Sequence, residues 1–157
     1  MIPESPAIFD IYTDGGYFHK KDMGGWACVI YKNNQEIFRN SGFKKQTSSL
    51  EMELMAAHQA LSSLAKLTDS KTQDTSIKIH TDSRIIIEGL HDKYQTWCDN
   101  DWKVKSGKTV VYKELWQTLS EQGKQLKVDW QWVKGHNGNI GNTLADQLAR
   151  DAVLQTA

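Results

Sequence analysis

Two segments of the chain end alike, Ile11-Tyr12-Thr13-Asp14 and Ile79-His80-Thr81-Asp82. In each, β-branched and aromatic residues give way to an aspartate and then to Gly15-Gly16 or Ser83, the pattern of a strand handing over to a turn. If the two strands lie side by side and parallel, both carboxylates reach the strand-end edge where open α/β sheets bind ligands. Either aspartate alone has an ordinary use as a turn or helix cap. Glu53 sits beside the apolar stripe of a helix, and Asp146 lies between Leu144-Ala145 and Leu148-Ala149 at the edge of another. Four acids so placed make an oxygen-rich site for Mg²⁺ or Mn²⁺, and their mutual repulsion itself calls for a cation. The ordinary alternative for Glu53 is a boundary glutamate paired with a lysine. His136, in Lys134-Gly135-His136-Asn137-Gly138, is either a solvated loop residue or a proton carrier near neutral pH.

The elements that must position these groups follow from periodicity. Ile8 to Thr13 reads as a strand ending in a turn at Asp14-Gly15-Gly16. Gly24–Tyr31 and Ile37–Phe43 flank Asn33-Asn34 and read as a hairpin. After Thr47-Ser48-Ser49, the stripe Leu50, Leu54, Ala57, Leu61, Leu64 predicts a long helix. Ile77–Thr81 is a fourth strand and Ile85–Leu90 a helix. Residues 91–108 are polar around Trp97 and Trp102, Val110–Leu119 is a helix, and Leu126–Val133 a fifth strand. The glycine-rich turn from Gly135 to Gly141 leads into a last helix, Asn142–Leu154. The order βββαβααβα is that of an α/β sheet covered partly on both faces.

At 157 residues, 39% hydrophobic and 24% charged, the chain reads as a single domain, 1–157, with its core about 8–154 and no linker or repeat. It holds no apolar run long enough for a membrane helix, and its first residues, Met1-Ile2-Pro3-Glu4-Ser5-Pro6, do not form a secretory signal. Cys28 and Cys98 stand far apart, outside any metal-binding spacing, so two reduced thiols in a cytoplasmic protein are expected. The net charge is zero. Any nucleic-acid binding therefore rests on local patches rather than a basic whole.

Five blocks together resemble a known family. Tyr12-Thr13-Asp14-Gly15, Met52-Glu53-Leu54-Met55-Ala56-Ala57, Thr81-Asp82-Ser83, Trp132-Val133-Lys134-Gly135-His136-Asn137-Gly138 and Ala145-Asp146-Gln147-Leu148-Ala149 are similar to the successive motifs of type 1 ribonuclease H, in that family's order and spacing. The resemblance implies an RNase H-like fold, a five-stranded mixed sheet flanked by helices. It implies an endoribonuclease that cuts the RNA strand of RNA–DNA hybrids with little regard to sequence, leaving 5′-phosphate and 3′-hydroxyl ends. Asp14, Glu53, Asp82 and Asp146 would hold two metal ions, Mg²⁺ or its substitute Mn²⁺, with His136 assisting proton movement or product release. Gly15, Gly16, Ser49 and Ser83 match positions that touch 2′-hydroxyls. Trp97, Trp102, Lys103, Lys105 and Lys108 match the family's substrate-handling region, although the two tryptophans have an equal claim to that segment's own small core. A monomer apart from any membrane is expected.

The chain departs from the family in places. Gly16-Tyr17-Phe18-His19-Lys20-Lys21-Asp22-Met23 replaces a short Gly/Pro-rich loop, Ser49-Leu50-Glu51 replaces an Asn-rich triplet, and Tyr112 stands for a phosphate-pocket asparagine. Residues 91–113 carry five lysines but also Asp92, Asp99 and Asp101. Weaker or altered substrate binding is expected from these changes. Three other readings remain open: a transposase-type nuclease of the same broad fold, a hybrid-binding module without activity, and a domain cut from a reverse transcriptase. The initial Met1 and compact ends favour a stand-alone enzyme over the last.

Overall fold

The computed structural model describes residues 6–68, 75–135 and 139–155. His136 lies outside them. Strands β1 (Ala7–Phe18), β2 (Met23–Lys32) and β3 (Gln35–Lys45) form an antiparallel meander. The β2–β3 turn places Asn33 and Asn34 at φ 49° and 69°, the left-handed pair that a tight hairpin needs and that asparagine tolerates. Strand β4 (Thr75–Thr81) lies parallel to β1, and β5 (Asp129–Trp132) parallel to β4, giving the sheet order β3-β2-β1-β4-β5. The expected mixed five-stranded sheet is thus present.

Helix α1 (Ser49–Leu67) starts where Ser48 accepts a hydrogen bond from the Glu51 amide, satisfying one of the free N–H groups of the first turn. Its stripe Leu54, Ala57, Leu61 and Leu64 is buried against Phe9 and Ile11 of β1 and Ile77 and Ile79 of β4. On the other face, Gly25 of β2 meets Ala149 and Val153 of helix α5 (Ile140–Leu154). β2 is covered on both sides, and Ala27, Cys28, Val29 and Ile30 are all fully buried. A run of apolar residues, rather than alternation, is what such a strand requires.

Between β4 and β5 the chain differs from the sequence reading. The helix expected to stop at Leu90 continues: α2 (Arg84–Glu88) passes through one π-helical turn, Gly89–Lys93, into α3 (Tyr94–Asp99). Gly89 backs onto the Trp116 ring, which a Cβ there would meet at 2.4 Å. Helix α4 spans Lys113–Leu126 instead of Val110–Leu119. Val110 is held outside it by a backbone bond to the Trp102 carbonyl, and Tyr112 precedes the helix at φ 61°. Among the described residues, no helix is long and apolar enough to cross a membrane.

Candidate active site

Asp14 does not end its strand. β1 continues to Phe18, paired with β2 through Gly15↔Trp26, Gly16↔Gly25 and Phe18↔Met23. What ends near Asp14 is the parallel ladder with β4, whose last pair is Tyr12↔His80. Asp14 therefore stands just past the shared edge of β1 and β4, and Asp82 follows directly on β4. Neither acts as the cap that would account for it more simply. Asp14 lies within a strand, and the cap of α2 is Ser83, whose hydroxyl accepts from the Ile86 amide.

Glu53 reaches this edge because α1 presses closely on β1. A Cβ on Gly15 would come within 2.4 Å of the Met52 carbonyl carbon, so only glycine lets helix and strand approach so far. The Gly15 amide then donates to Glu53 Oε1 at 2.7 Å, and the Thr81 hydroxyl lies 3.4 Å from Oε2. Asp14 and Glu53 are each only 7% exposed. Carboxylate oxygens of Asp14, Glu53 and Asp82 all lie within 4.8 Å of one another.

Asp146 lines the same cleft, of about 290 Å³, and interacts with Asp14, though it is not one of the three acids whose oxygens all lie within 4.8 Å of one another. Its Oδ2 accepts from Arg150 Nε at 2.9 Å. That partner was missed in the sequence, although a basic residue four positions after an acid on a helix is a readable pair.

Buried acids this close cannot all ionise readily. Asp14 is pushed up to about 8, by burial first and then by the charge of Asp82 and a hydrogen bond with Asp146. Glu53 is held well above the usual carboxylate range by burial and then by the charges of Asp14 and Asp82, with the Gly15 amide opposing. A site that resists its own charge is a good host for a divalent cation, which oxygen donors of this kind suit.

The remaining sequence-predicted residues divide. Gly15, Gly16 and Ser49 line the cleft, but the Gly15 amide is already engaged by Glu53. The Ser83 hydroxyl is occupied by its cap and its amide by Thr81. Trp102 is 6% exposed, packed against Tyr94 and Trp97. Its ring therefore serves the interior of its own segment, while Trp97 is half-buried and also meets Trp116. Lys103 donates to Thr109, and Lys105 and Lys108 are exposed on the same small turn. His136 is not described, but Gly135 just before it lies so close to Asp82 that a Cβ would come 3.0 Å from Oδ2.

Three further sets of contacts escaped the sequence reading, two of them between distant segments. Tyr112 shares a 2.6 Å hydrogen bond with Ser48, tying the starts of α4 and α1 together. Glu51 accepts from both Lys44 and Thr47. Trp132 donates from Nε1 to the Asp82 carbonyl, and the Arg84 guanidinium lies over its ring at 4.4 Å.

A mixed sheet with a carboxylate cluster where its β1–β4 parallel ladder ends defines an α/β protein with a site fit for a divalent cation. Comparison with known proteins narrows this. The family model RNase H matches residues 6–154. The chain is 38% identical over 146 residues to Ribonuclease H of Francisella tularensis subsp. novicida, covering 92% of this chain and 90% of that protein. It is 37% identical over 152 residues to Ribonuclease H of Treponema denticola, covering 91% and 95%. Among solved structures, LC9-RNase H1, a type 1 RNase H with the type 2 active-site motif, matches with a TM-score of 0.78 at 23% identity, over 99% of this chain and 76% of that one. LC11-RNase H1 in complex with an RNA/DNA hybrid matches with a TM-score of 0.71 at 20% identity, over 94% and 98%. The chain belongs to the ribonuclease H family and is a ribonuclease H hydrolase.

Proposed function

We propose that this protein cuts the RNA strand of RNA–DNA hybrids by metal-assisted hydrolysis, leaving 5′-phosphate and 3′-hydroxyl ends. The observation that carries the reading is the convergence of Asp14, Glu53 and Asp82 within 4.8 Å, in a chain of this family. Asp146, in the same cleft and paired with Arg150, completes the set of acids that would hold a cation. Two Mg²⁺ ions, or Mn²⁺ in their place, would supply a Lewis acid for the scissile phosphate and a hydroxide-like nucleophile at neutral pH. The protein's part is to fix the oxygens that hold them. The Gly15 amide orients Glu53, and the Trp132 indole holds the Asp82 backbone. His136, which lies outside the described residues, would move protons or help product leave.

The RNA strand would be told from DNA by its 2′-hydroxyls, met at the cleft floor by Ser49 and by the backbone at Gly16, with Lys105 and Lys108 on phosphates of the second strand. Sugar and phosphate contacts carry no base code, so cutting would be largely sequence-independent. Residues 1–157 would act as one catalytic unit and as a monomer. A cytoplasmic setting accords with the free thiols Cys28 and Cys98.

The test is cleavage of matched RNA–DNA, RNA–RNA and DNA–DNA duplexes in Mg²⁺ and then in Mn²⁺. Cutting confined to the RNA of the hybrid is expected. Equal cutting of duplex DNA would move the protein to the broader nuclease class.

A further inference from the structure

The ribbon formed by β1 and β2 does not stop at the acid cluster. It runs four pairs beyond Asp14↔Ala27, to Phe18↔Met23, while β4 has already ended its pairing with β1 at Tyr12. Tyr17 and Phe18 form one wall of the acidic cleft, and the chain turns over just past them through His19–Lys21. This tip is built rather than loose. The Asp22 amide closes the turn on the His19 carbonyl at 3.2 Å, Tyr17 and Asp22 are hydrogen-bonded through the phenol and a carboxylate oxygen, and the Tyr17 ring meets His19 edge-on at 4.9 Å.

The tip is also charged. Lys20 and Lys21 are exposed, and Lys45 joins them because β3 pairs Lys45 with Met23. Cross-strand partners point to one face of a sheet, so Phe18, Met23 and Lys45 share the face of Asp14 and Gly16. Among the described residues, none of these three lysines has an ion pair, whereas neighbouring Lys44 is engaged by Glu51. Three lysines against Asp22 leave a local surplus of positive charge on a chain whose net charge is zero. A cluster of acids repels a polyanion, so a neutral protein that works on one needs cations close by to hold the strand. The ordinary use of lysines at a ribbon tip is to keep a sheet edge from pairing with another chain. Lys45 on the face of Asp14, and Lys20 and Lys21 in the turn just past the Tyr17–Phe18 wall of the cleft, point further.

We propose that Lys20, Lys21 and Lys45 form a phosphate-binding arm that holds the backbone of the substrate beyond the scissile position. The proposal rests on the ribonuclease reading above and adds a contact distinct from the segment 91–113. From Asp14 to Phe18 the strand advances about 13 Å at ~3.3 Å per residue. A nucleic-acid helix advances ~3.4 Å per nucleotide, so the arm meets the strand about four nucleotides from the cut.

The experiment compares the wild type with Lys20→Glu/Lys21→Glu/Lys45→Glu and with the milder Lys20→Gln/Lys21→Gln/Lys45→Gln. Lys66→Glu serves as a control, near the far end of α1 and about 20 Å along that helix from Glu53 in the cleft at a rise of ~1.5 Å per residue. Affinity for a fluorescent RNA–DNA hybrid is read by anisotropy in EDTA over a range of KCl, and kcat and KM are read in Mg²⁺. The triple variants should bind a long hybrid roughly tenfold more weakly and lose about 2.7 units of the log–log salt slope, near 0.9 for each of the three lost contacts. KM should rise with kcat unchanged, because the arm holds substrate and transition state alike. A hybrid too short to reach the arm should be cut equally well by all forms. A wild type that binds hybrid more tightly than the triple variants but cuts no duplex overturns the ribonuclease reading and leaves the arm. Triple variants that match the wild type in affinity, KM and salt slope, or that differ no more than Lys66→Glu, overturn the arm alone.

Discussion

At the scale of the residue, Asp14 is burdened in the absence of a cation. Its carboxyl is pushed up to about 8 by burial and then by Asp82. The folded-state value lies above the unfolded one, so the folded protein keeps a proton that the unfolded chain releases between about pH 4 and pH 8. This share of stability is complete below pH 4 and is lost as pH rises through 8. Asp14→Asn removes the titrating group while keeping its shape. In EDTA at pH 8 the variant should melt higher than wild type, by roughly 4–8 °C if ~2 kcal/mol of strain is relieved, and the gap should close toward pH 4. Cleavage should meanwhile fall by a factor on the order of 10³ or more, since a cation ligand is gone. Thermal melts across pH and single-turnover assays read both effects, and near-normal cleavage would sink the ligand assignment. Asp14, Glu53 and Asp82 were legible in the sequence because strand pattern and helix stripe carry positional information. The Tyr112–Ser48 and Trp132–Asp82 bonds were not, because they join residues 64 and 50 positions apart, and no local period records such a pairing.

At the scale of the element, the order of strands and α1 follow their sequence patterns, but β1 runs past the expected turn to Phe18, β5 is Asp129–Trp132 rather than Leu126–Val133, and the segment between β4 and β5 departs further. Strands and α1 each bury a regular face, which periodicity reports. Residues 91–99 instead bury only isolated aromatics, Tyr94 and Trp97, among polar neighbours, so the helical stretch read as loop. Val110 and Val111 looked like helix because they are apolar, but a non-local bond to Trp102 decides their backbone. The π turn between α2 and α3 depends on Gly89 against Trp116. Gly89→Ala gains helix propensity of ~1 kcal/mol but drives a Cβ into a ring at 2.4 Å, and overpacking costs about 1–3 kcal/mol. Net destabilisation of up to about 2 kcal/mol is expected by urea melting, and a more stable variant would mean that this packing is loose. The acids of the same segment concern substrate. Asp99 and Asp101 are exposed beside Trp102, where they would repel phosphates. Asp99→Lys with Asp101→Asn, the amide chosen because Asp101 sits at φ 53°, should lower KM for a long hybrid and leave kcat alone. An unchanged KM would show that this face is turned from the substrate.

At the scale of the whole molecule, a chain of zero net charge gathers Asp14, Glu53, Asp82 and Asp146 into one cleft, with Lys20 and Lys21 exposed just past its Tyr17–Phe18 wall. The stability of the fold should answer to whatever fills that cleft. A ligand that binds only the folded state stabilises it by RT ln(1 + [L]/Kd). Here the cation must also displace protons from Asp14 and Glu53, both held above the usual range, so its affinity falls as pH drops. Mg²⁺ should therefore raise the melting temperature more at pH 8 than at pH 5.5, where the acids remain protonated. At ~100 times Kd the stabilisation is about 2.7 kcal/mol, or roughly 5–11 °C for a domain of this size. Replacing Asp14 by asparagine should remove most of the Mg²⁺ response and its pH dependence together. Lys20→Gln/Lys21→Gln/Lys45→Gln should leave both intact, because that surface meets phosphate rather than metal. Scanning calorimetry with Mg²⁺ and with EDTA at the two pH values separates these outcomes. A shift of equal size at both pH values, or one that survives in Asp14→Asn, would place the cation elsewhere and detach the raised carboxyls from metal binding.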